Sequence, residues 1–139
     1  MPKKDSYSSI DRKSELYSDF LTDLNPHPEM GDVVRFTNEN AVKRSIRNLI
    51  LTNKYERPFQ PDIGSDINKI LFEPMNTAVA DVLRQYIKET IENYEPRCQL
   101  IDVLVVGYEE RNVYVVTIIF ATINKEEPTT LQLSLYRVR

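Results

Sequence analysis

Asp62, Asp66, Glu73 and Glu95 lie near prolines or a glycine, where loops can converge. Two such groups held about 5 to 9.5 Å apart, one with its pKa raised by burial, could cleave a glycosidic bond. Glu95 draws notice because it stands in NYEPRCQL (residues 93–100), with Arg97 on the other side of Pro96. An arginine that pairs with a carboxylate lowers its pKa, which is wrong for a general acid. Spacing along the chain does not fix the separation of two carboxyls, and with 21 acidic residues many pairs are open. Three readings of Glu95-Pro96-Arg97 therefore stand together. Glu95 could be an acid working with a second carboxylate such as Glu73. The pair could be a structural clasp, contributing only ~0 to 1 kcal/mol if exposed. Or it could dock a partner chain, where loss of one member of a desolvated pair costs about 2 to 5 kcal/mol.

Other chemistry finds little footing. His27 lies between two prolines in NPHPEM, with no Cys or His at ligand spacing, so an exposed loop histidine is a better reading than a zinc ligand. Cys98 is the lone cysteine, which excludes an internal disulfide and leaves the fold to packing. The sequence has no Gly-rich phosphate loop and no Gly-x-Ser-x-Gly elbow, and no cofactor is expected. The net charge of -3 argues against a general nucleic-acid binder. No stretch approaches the ~18 consecutive apolar residues of a membrane span. The first residues, MPKKDSYSSIDRKSEL, contain no apolar core of a signal peptide.

The elements that must position these residues follow from periodicity. At 139 residues the chain is long enough for one domain with its own core. Residues 1–31 are polar and irregular and read as an extended arm, with Tyr17, Phe20, Leu21 and Leu24 as apolar anchors. The domain proper spans 32–139. DVVRF (32–36) reads as a short strand, and TNENA supplies helix-capping residues. From Asn40 to Leu51, Val42, Ile46, Leu49 and Ile50 share a face opposite Lys43, Arg44 and Arg47. That basic face is either solvated or a patch for an acidic partner. RPFQPDIGSDI (57–67) is a shaped loop in which Gly64 takes a positive φ. NKILF (68–72) is a short turn or helix offering Leu71 and Phe72 as core plugs.

Thr77 to Asn93 is the strongest helix, with Val79, Val82, Leu83, Tyr86, Ile87 and Ile91 along one stripe. Pro96 ends it, because proline disfavours helical geometry in the residue before it. Two nearly continuous apolar runs, 100–108 and 113–123, read as strands joined by a hairpin turn at GYEERNV. Such runs are covered on both faces, or by helices on one face and a partner on the other. The last run alternates: Thr130, Leu131, Gln132, Leu133, Ser134, Leu135, Tyr136, Arg137, Val138. Its leucines point inward and its polar residues outward. It is either an edge strand open to another chain or a strand paired inside its own sheet. The class is α+β: a small, mainly antiparallel sheet, two packed amphipathic helices and an extended N-terminal arm.

The order ENAVKRSIRNLILT (39–52), RPFQPDIGSDI (57–67), ILFE (70–73), a long amphipathic helix and then YEPR (94–97) resembles the baseplate wedge protein of T-even-like contractile phages. This is the tail-sheath initiator family, with relatives in contractile injection systems, and the likeness spans about residues 32–139. The resemblance implies a non-enzymatic virion component of the tail baseplate, made in the host cytoplasm. It would link the wedge core to the first sheath ring and template sheath polymerisation by β-strand addition. Glu95, Pro96 and Arg97 would be the family's signature, holding a core contact or the local corner, with Arg57 beside them. Thr130 to Val138 would be the strand-exchange edge. Partners implied are baseplate wedge core proteins and the tail sheath protein, with no nucleic acid and no membrane. Several copies would sit in a ring-shaped baseplate, each monomeric when free. The arm at 1–31 is longer and more polar than the family's usual start, and is read as a strap onto neighbouring wedge proteins. The family also carries a lysozyme-like label, so a muralytic glycosidase using Glu95 and a second carboxylate is the alternative. A strand-addition adaptor in a cell is the third reading.

Overall fold

The computed structural model describes residues 16–20, 26, 28–29, 31–123 and 125–137. His27, Leu21, Leu24 and Val138 lie outside the described residues, as do 1–15 of the segment read as an arm. The element order is β1 (Ser18–Phe20), β2 (Arg35–Thr37), α1 (Glu39–Leu51), α2 (Ile67–Ile70), α3 (Thr77–Tyr94), β3 (Cys98–Tyr108), β4 (Val113–Thr122) and β5 (Lys125–Tyr136). The fold is α+β with antiparallel sheets. β1 and β2 form a two-stranded ribbon, and β3-β4-β5 form a meander with β4 in the centre. Ser18–Phe20, inside the segment read as an arm, thus joins the chain that precedes α1.

α1 and α3 lie on one face of the meander. Val42, Ile46 and Ile50 of α1 and Leu83, Ile87 and Ile91 of α3 meet Val103, Tyr114, Val116, Ile118, Phe120, Leu133 and Leu135 in one cluster. Each such side chain, fully withdrawn from water, contributes about 1.5 to 3 kcal/mol. α3 begins at Asn76, whose side chain accepts the Val79 N–H at 2.7 Å, and ends before Pro96. Gly64 has φ 140, and a Cβ there would lie 2.7 Å from the Thr52 carbonyl oxygen. Only glycine lets the 53–65 loop close so tightly on the end of α1.

Four expectations need correction. Val82 and Tyr86 of α3 are exposed. The helix rests on a single layer, and a residue one position before Leu83 or Ile87 is turned about 100° away from it. Phe72 is exposed as well, because the short α2 turns Leu71 inward and the next residue outward. Phe20, read as an anchor, is exposed on β1, while its neighbour Tyr17 packs against the core. The strand read at 32–36 is confined to Arg35–Thr37, with Val33 making only an isolated bridge to Pro26. The other face of the meander is open: Leu104, Val106 and Tyr108 of β3 and Tyr136 of β5 are exposed there. The hairpin between β3 and β4 needs only Glu109–Arg111 and Asn112, the latter in the left-handed region.

Candidate functional site

The helix-to-strand corner is built around Glu95. Its backbone N–H closes α3 on the Ile91 carbonyl at 2.9 Å, Pro96 forbids a further turn, and the side chain folds inward to 3% exposure. Arg97 grips the carboxylate with both arms of its fork: Nε donates to Oε1 at 2.6 Å and Nη2 to Oε2 at 2.8 Å. The Ser45 side chain of α1 bonds to the same carboxylate. The Cys98 N–H donates to the Glu95 carbonyl at 3.4 Å, and the Ile123 N–H to the Arg97 carbonyl at 3.2 Å. On its outer side the Arg97 guanidinium lies 5.7 Å from the centre of the Tyr17 ring. Tyr17 is itself held, its carbonyl accepting the Asn38 N–H at 2.7 Å. One charge pair thus ties together α1, α3, the β3-β4 hairpin and the segment before β1.

The electrostatics suit a clasp. Burial alone pushes the Glu95 carboxyl up. Hydrogen bonds from Arg97 and Ser45, with the Arg97 charge, outweigh it and hold the group below the usual carboxylate range. Burial first, then the Glu95 charge, raises the neighbouring Cys98 thiol to about 11, against the pull of Arg97. A carboxylate kept ionised in this way is a poor proton donor at neutral pH. Glu73 is exposed and shares no hydrogen bond with Glu95 among the described residues. Surface cavities include one of about 770 Å³ between Tyr108 and Tyr136 and one of about 440 Å³ beside Met75 and Tyr114. Neither is lined by Glu95 or Glu73. Arg57, read beside the clasp, sits in the exposed 53–65 loop and meets neither Glu95 nor Arg97 among the described residues.

The second feature is the outer edge of β5, which no other strand pairs with among the described residues. Thr130, Leu131, Gln132, Leu133, Ser134, Leu135 and Tyr136 all lie on that strand, with Leu133 and Leu135 buried, Leu131 half-buried, and Gln132, Ser134 and Tyr136 exposed. Arg137 follows the strand end. Its N–H donates to the Asn112 carbonyl at 2.9 Å, next to the Val113–Tyr136 pair. Bonded and non-bonded pairs alternate along an antiparallel ladder. Leu131, Leu133 and Leu135 therefore bond to β4. Thr130, Gln132, Ser134 and Tyr136 turn their N–H and C=O groups to the free edge. The register runs without a break from Thr129 to Tyr136.

The edge of β3 is different. The same alternation aims Val103, Val105 and Gly107 outward, but the Val103 N–H is already taken by Asp102 Oδ1 at 2.8 Å. Arg84 of α3 reaches that same oxygen at 3.0 Å. A register shift between Leu100 and Asp102 breaks the ladder there. A bulge and an occupied donor blunt a sheet edge against pairing. Sequence reasoning missed Ser45, Arg84 and Asp102, and read Tyr17 as an apolar anchor without its place over Arg97. The one readable signal was Asp102, a charge inside an otherwise apolar run.

The family described as "Baseplate wedge protein gp25" matches residues 37–128. The baseplate wedge protein gp25 of Enterobacteria phage T4 is 32% identical over 117 residues, covering 82% of this chain and 86% of that protein. Among solved structures, one named as a tail lysozyme from Geobacter sulfurreducens superposes with a TM-score of 0.68 at 24% identity. It covers 73% of this chain and 92% of its own. A chain of the anti-feeding prophage baseplate gives 0.60 at 20% identity over 88% and 86%, and one of the type VI secretion system baseplate complex 0.61 at 18% over 72% and 93%. These last likenesses concern the fold. The family match over more than half the chain, with the T4 relative aligned over most of both proteins, shows that this chain belongs to the baseplate wedge protein gp25 family.

Proposed function

We propose that this protein is a non-enzymatic wedge component of a contractile-tail baseplate that templates the first sheath ring by accepting a β-strand along the free edge of β5. The observation that carries the reading is the unbroken row of outward backbone groups at Thr130, Gln132, Ser134 and Tyr136. An added strand gains main-chain hydrogen bonds from such a row and register from the alternating side chains. The blunted β3 edge leaves β5 as the better acceptor of the two. Glu95, Pro96 and Arg97 then keep the helices and sheet at a fixed angle. The side chain of Arg97 stays one-third exposed beside the Tyr17 ring, and that exposed part would meet the wedge core. The wedge role of the T4 relative and the baseplate setting of two structural neighbours support the wedge-component part of this reading. The protein would reside in the tail baseplate in several copies around a ring, monomeric before assembly. The corner does not favour the glycosidase alternative, since Arg97 and Ser45 hold Glu95 below the usual carboxylate range and no carboxylate hydrogen-bonds to it among the described residues.

The test is sheath nucleation on purified baseplates carrying either the intact protein or Gln132→Pro. Proline at 132 removes an N–H only from the free edge. Intact baseplates should grow sheaths from purified cognate sheath protein, and Gln132→Pro baseplates at least tenfold fewer, with the free variant's circular dichroism unchanged. Equal growth from both would sink strand addition at β5.

A further inference from the structure

Phe59 is fully exposed, and Tyr55, four residues earlier, is 76% exposed. Both have positive φ, 71 and 68, a conformation that glycine adopts freely and aromatic residues resist. Pro58 followed by a residue of positive φ is the pattern of a type II turn, whose third position favours glycine. The chain places a phenyl ring there instead and gives it nothing of its own fold to cover.

The base of this loop is firmly anchored. The Tyr55 N–H donates to the Pro61 carbonyl at 2.7 Å and closes residues 55–61 into a small ring. The Asn53 N–H donates to Glu56 Oε2 at 2.8 Å, and Asn68 Nδ2 to Asn53 Oδ1 at 2.6 Å. Ser65 Oγ donates to the Ile50 carbonyl at 2.6 Å inside the fold. Asp66 holds Lys54 at 3.0 Å and Lys69 at 2.8 Å. The tip at 57–62 is exposed throughout. A rigid base beneath an exposed aromatic tip loses little entropy on docking.

We propose that the 55–61 loop is a preformed knob that seats the Phe59 ring in an apolar pocket of a different baseplate protein, with Arg57 meeting a carboxylate at the pocket's rim. Aromatic and arginine side chains are the usual energetic centres of protein interfaces. Arg57 is exposed two residues before Phe59 and has no ion partner among the described residues. The partner is a protein rather than a lipid surface or nucleic acid, because Lys54 and Arg57 are balanced by Glu56 and Asp62. Such a patch has no net attraction for phosphates. A second copy is disfavoured because a knob-and-pocket contact between copies is head to tail and would drive the free protein into rings or chains, whereas the wedge reading has it monomeric before assembly. The proposal rests on the wedge reading and adds a contact distinct from the β5 edge and the Glu95 corner.

The test uses in vitro baseplate assembly from purified wedge proteins, with intact protein, Phe59→Gly and Arg57→Glu. Phe59→Gly relieves the backbone, so its Tm should rise by a few degrees while incorporation into baseplates falls at least tenfold. Arg57→Glu should keep its Tm and lose incorporation to a similar extent. Normal incorporation of Phe59→Gly would overturn the knob and leave the wedge reading intact. Failure of the intact protein to incorporate would overturn the wedge reading and the knob with it. Self-association of the free protein in light scattering, abolished by Phe59→Gly, would overturn the choice of partner in favour of a second copy.

Discussion

Cys98 reports on the corner better than any other single residue, because its thiol lies beside Glu95 and Arg97 and is half-buried. Raised to about 11, it is almost entirely protonated at pH 8, whereas an unfolded thiol near 9 is partly thiolate. The thiolate is the reactive form, and after allowing for the greater nucleophilicity of a more basic thiolate the native protein should react with a disulfide reagent about tenfold more slowly than the urea-unfolded chain. Glu95→Gln removes the charge that helps to keep the thiol neutral, and should narrow that gap. A native rate equal to the unfolded one would show that the corner opens freely. The charge pair itself was legible from two residues flanking a proline. Its burial was not, because Ser45 and Tyr17, which help to enclose it, come from distant parts of the chain. Positive φ at Tyr55 and Phe59 was illegible for another reason. Local preference argues against it by about 1 to 2 kcal/mol at each, and only the closed loop enforces it.

At the level of elements, side-chain alternation along 130–136 gave the buried and exposed faces but not which backbone groups were free. That needed one hydrogen bond, from the Arg137 N–H to the Asn112 carbonyl, because hydrogen-bond direction alternates with the same period as the side chains. The consequence is a sharp difference between neighbouring positions. Proline at Leu133 removes a ladder bond to β4 and a buried side chain together. It should lower the free energy of unfolding by ~3 kcal/mol or more. Proline at Ser134 removes only an outward N–H and should cost less than ~1 kcal/mol. Urea titration of both variants measures this directly. Equal losses would mean that the ladder runs in the opposite phase and that the odd-numbered residues face the edge. α3 shows the other limit of pattern reading. Val82 and Tyr86 fit a helical stripe, yet a single layer below the helix covers a narrower one.

Across the whole molecule, three carboxylates that pair with other segments, Glu39, Asp66 and Glu95, have pKa values below the ordinary range. Glu39 at the start of α1 bonds Lys125 at the start of β5 at 2.7 Å, and that hydrogen bond lowers it most. Asp66 is lowered chiefly by Lys69 and Lys54. Glu95 is raised by burial but lowered on balance by Arg97 and Ser45. None of the cross-chain pairings could be read from sequence, since Lys125 lies 86 residues from Glu39 and nothing local marks either as a partner. A carboxylate whose folded pKa is depressed adds stability that is present above its unfolded value, near 4.3 for glutamate. That stability is lost as pH falls through the folded value. Stability should therefore be level from about pH 7 to pH 5 and decline below about pH 4.5. The surface pairs of Glu39 and Asp66 are screened by salt, while Glu95 is enclosed. In high salt the remaining acid sensitivity should belong mainly to Glu95. Glu95→Gln should cost about 2 kcal/mol at pH 7 and flatten the acid limb, whereas Glu39→Gln in the same salt should leave it steep. If Glu95→Gln unfolds along the same pH curve as the intact protein, the corner is not what holds the helices to the sheet. The orientation of Arg97 toward a wedge partner would then need another support.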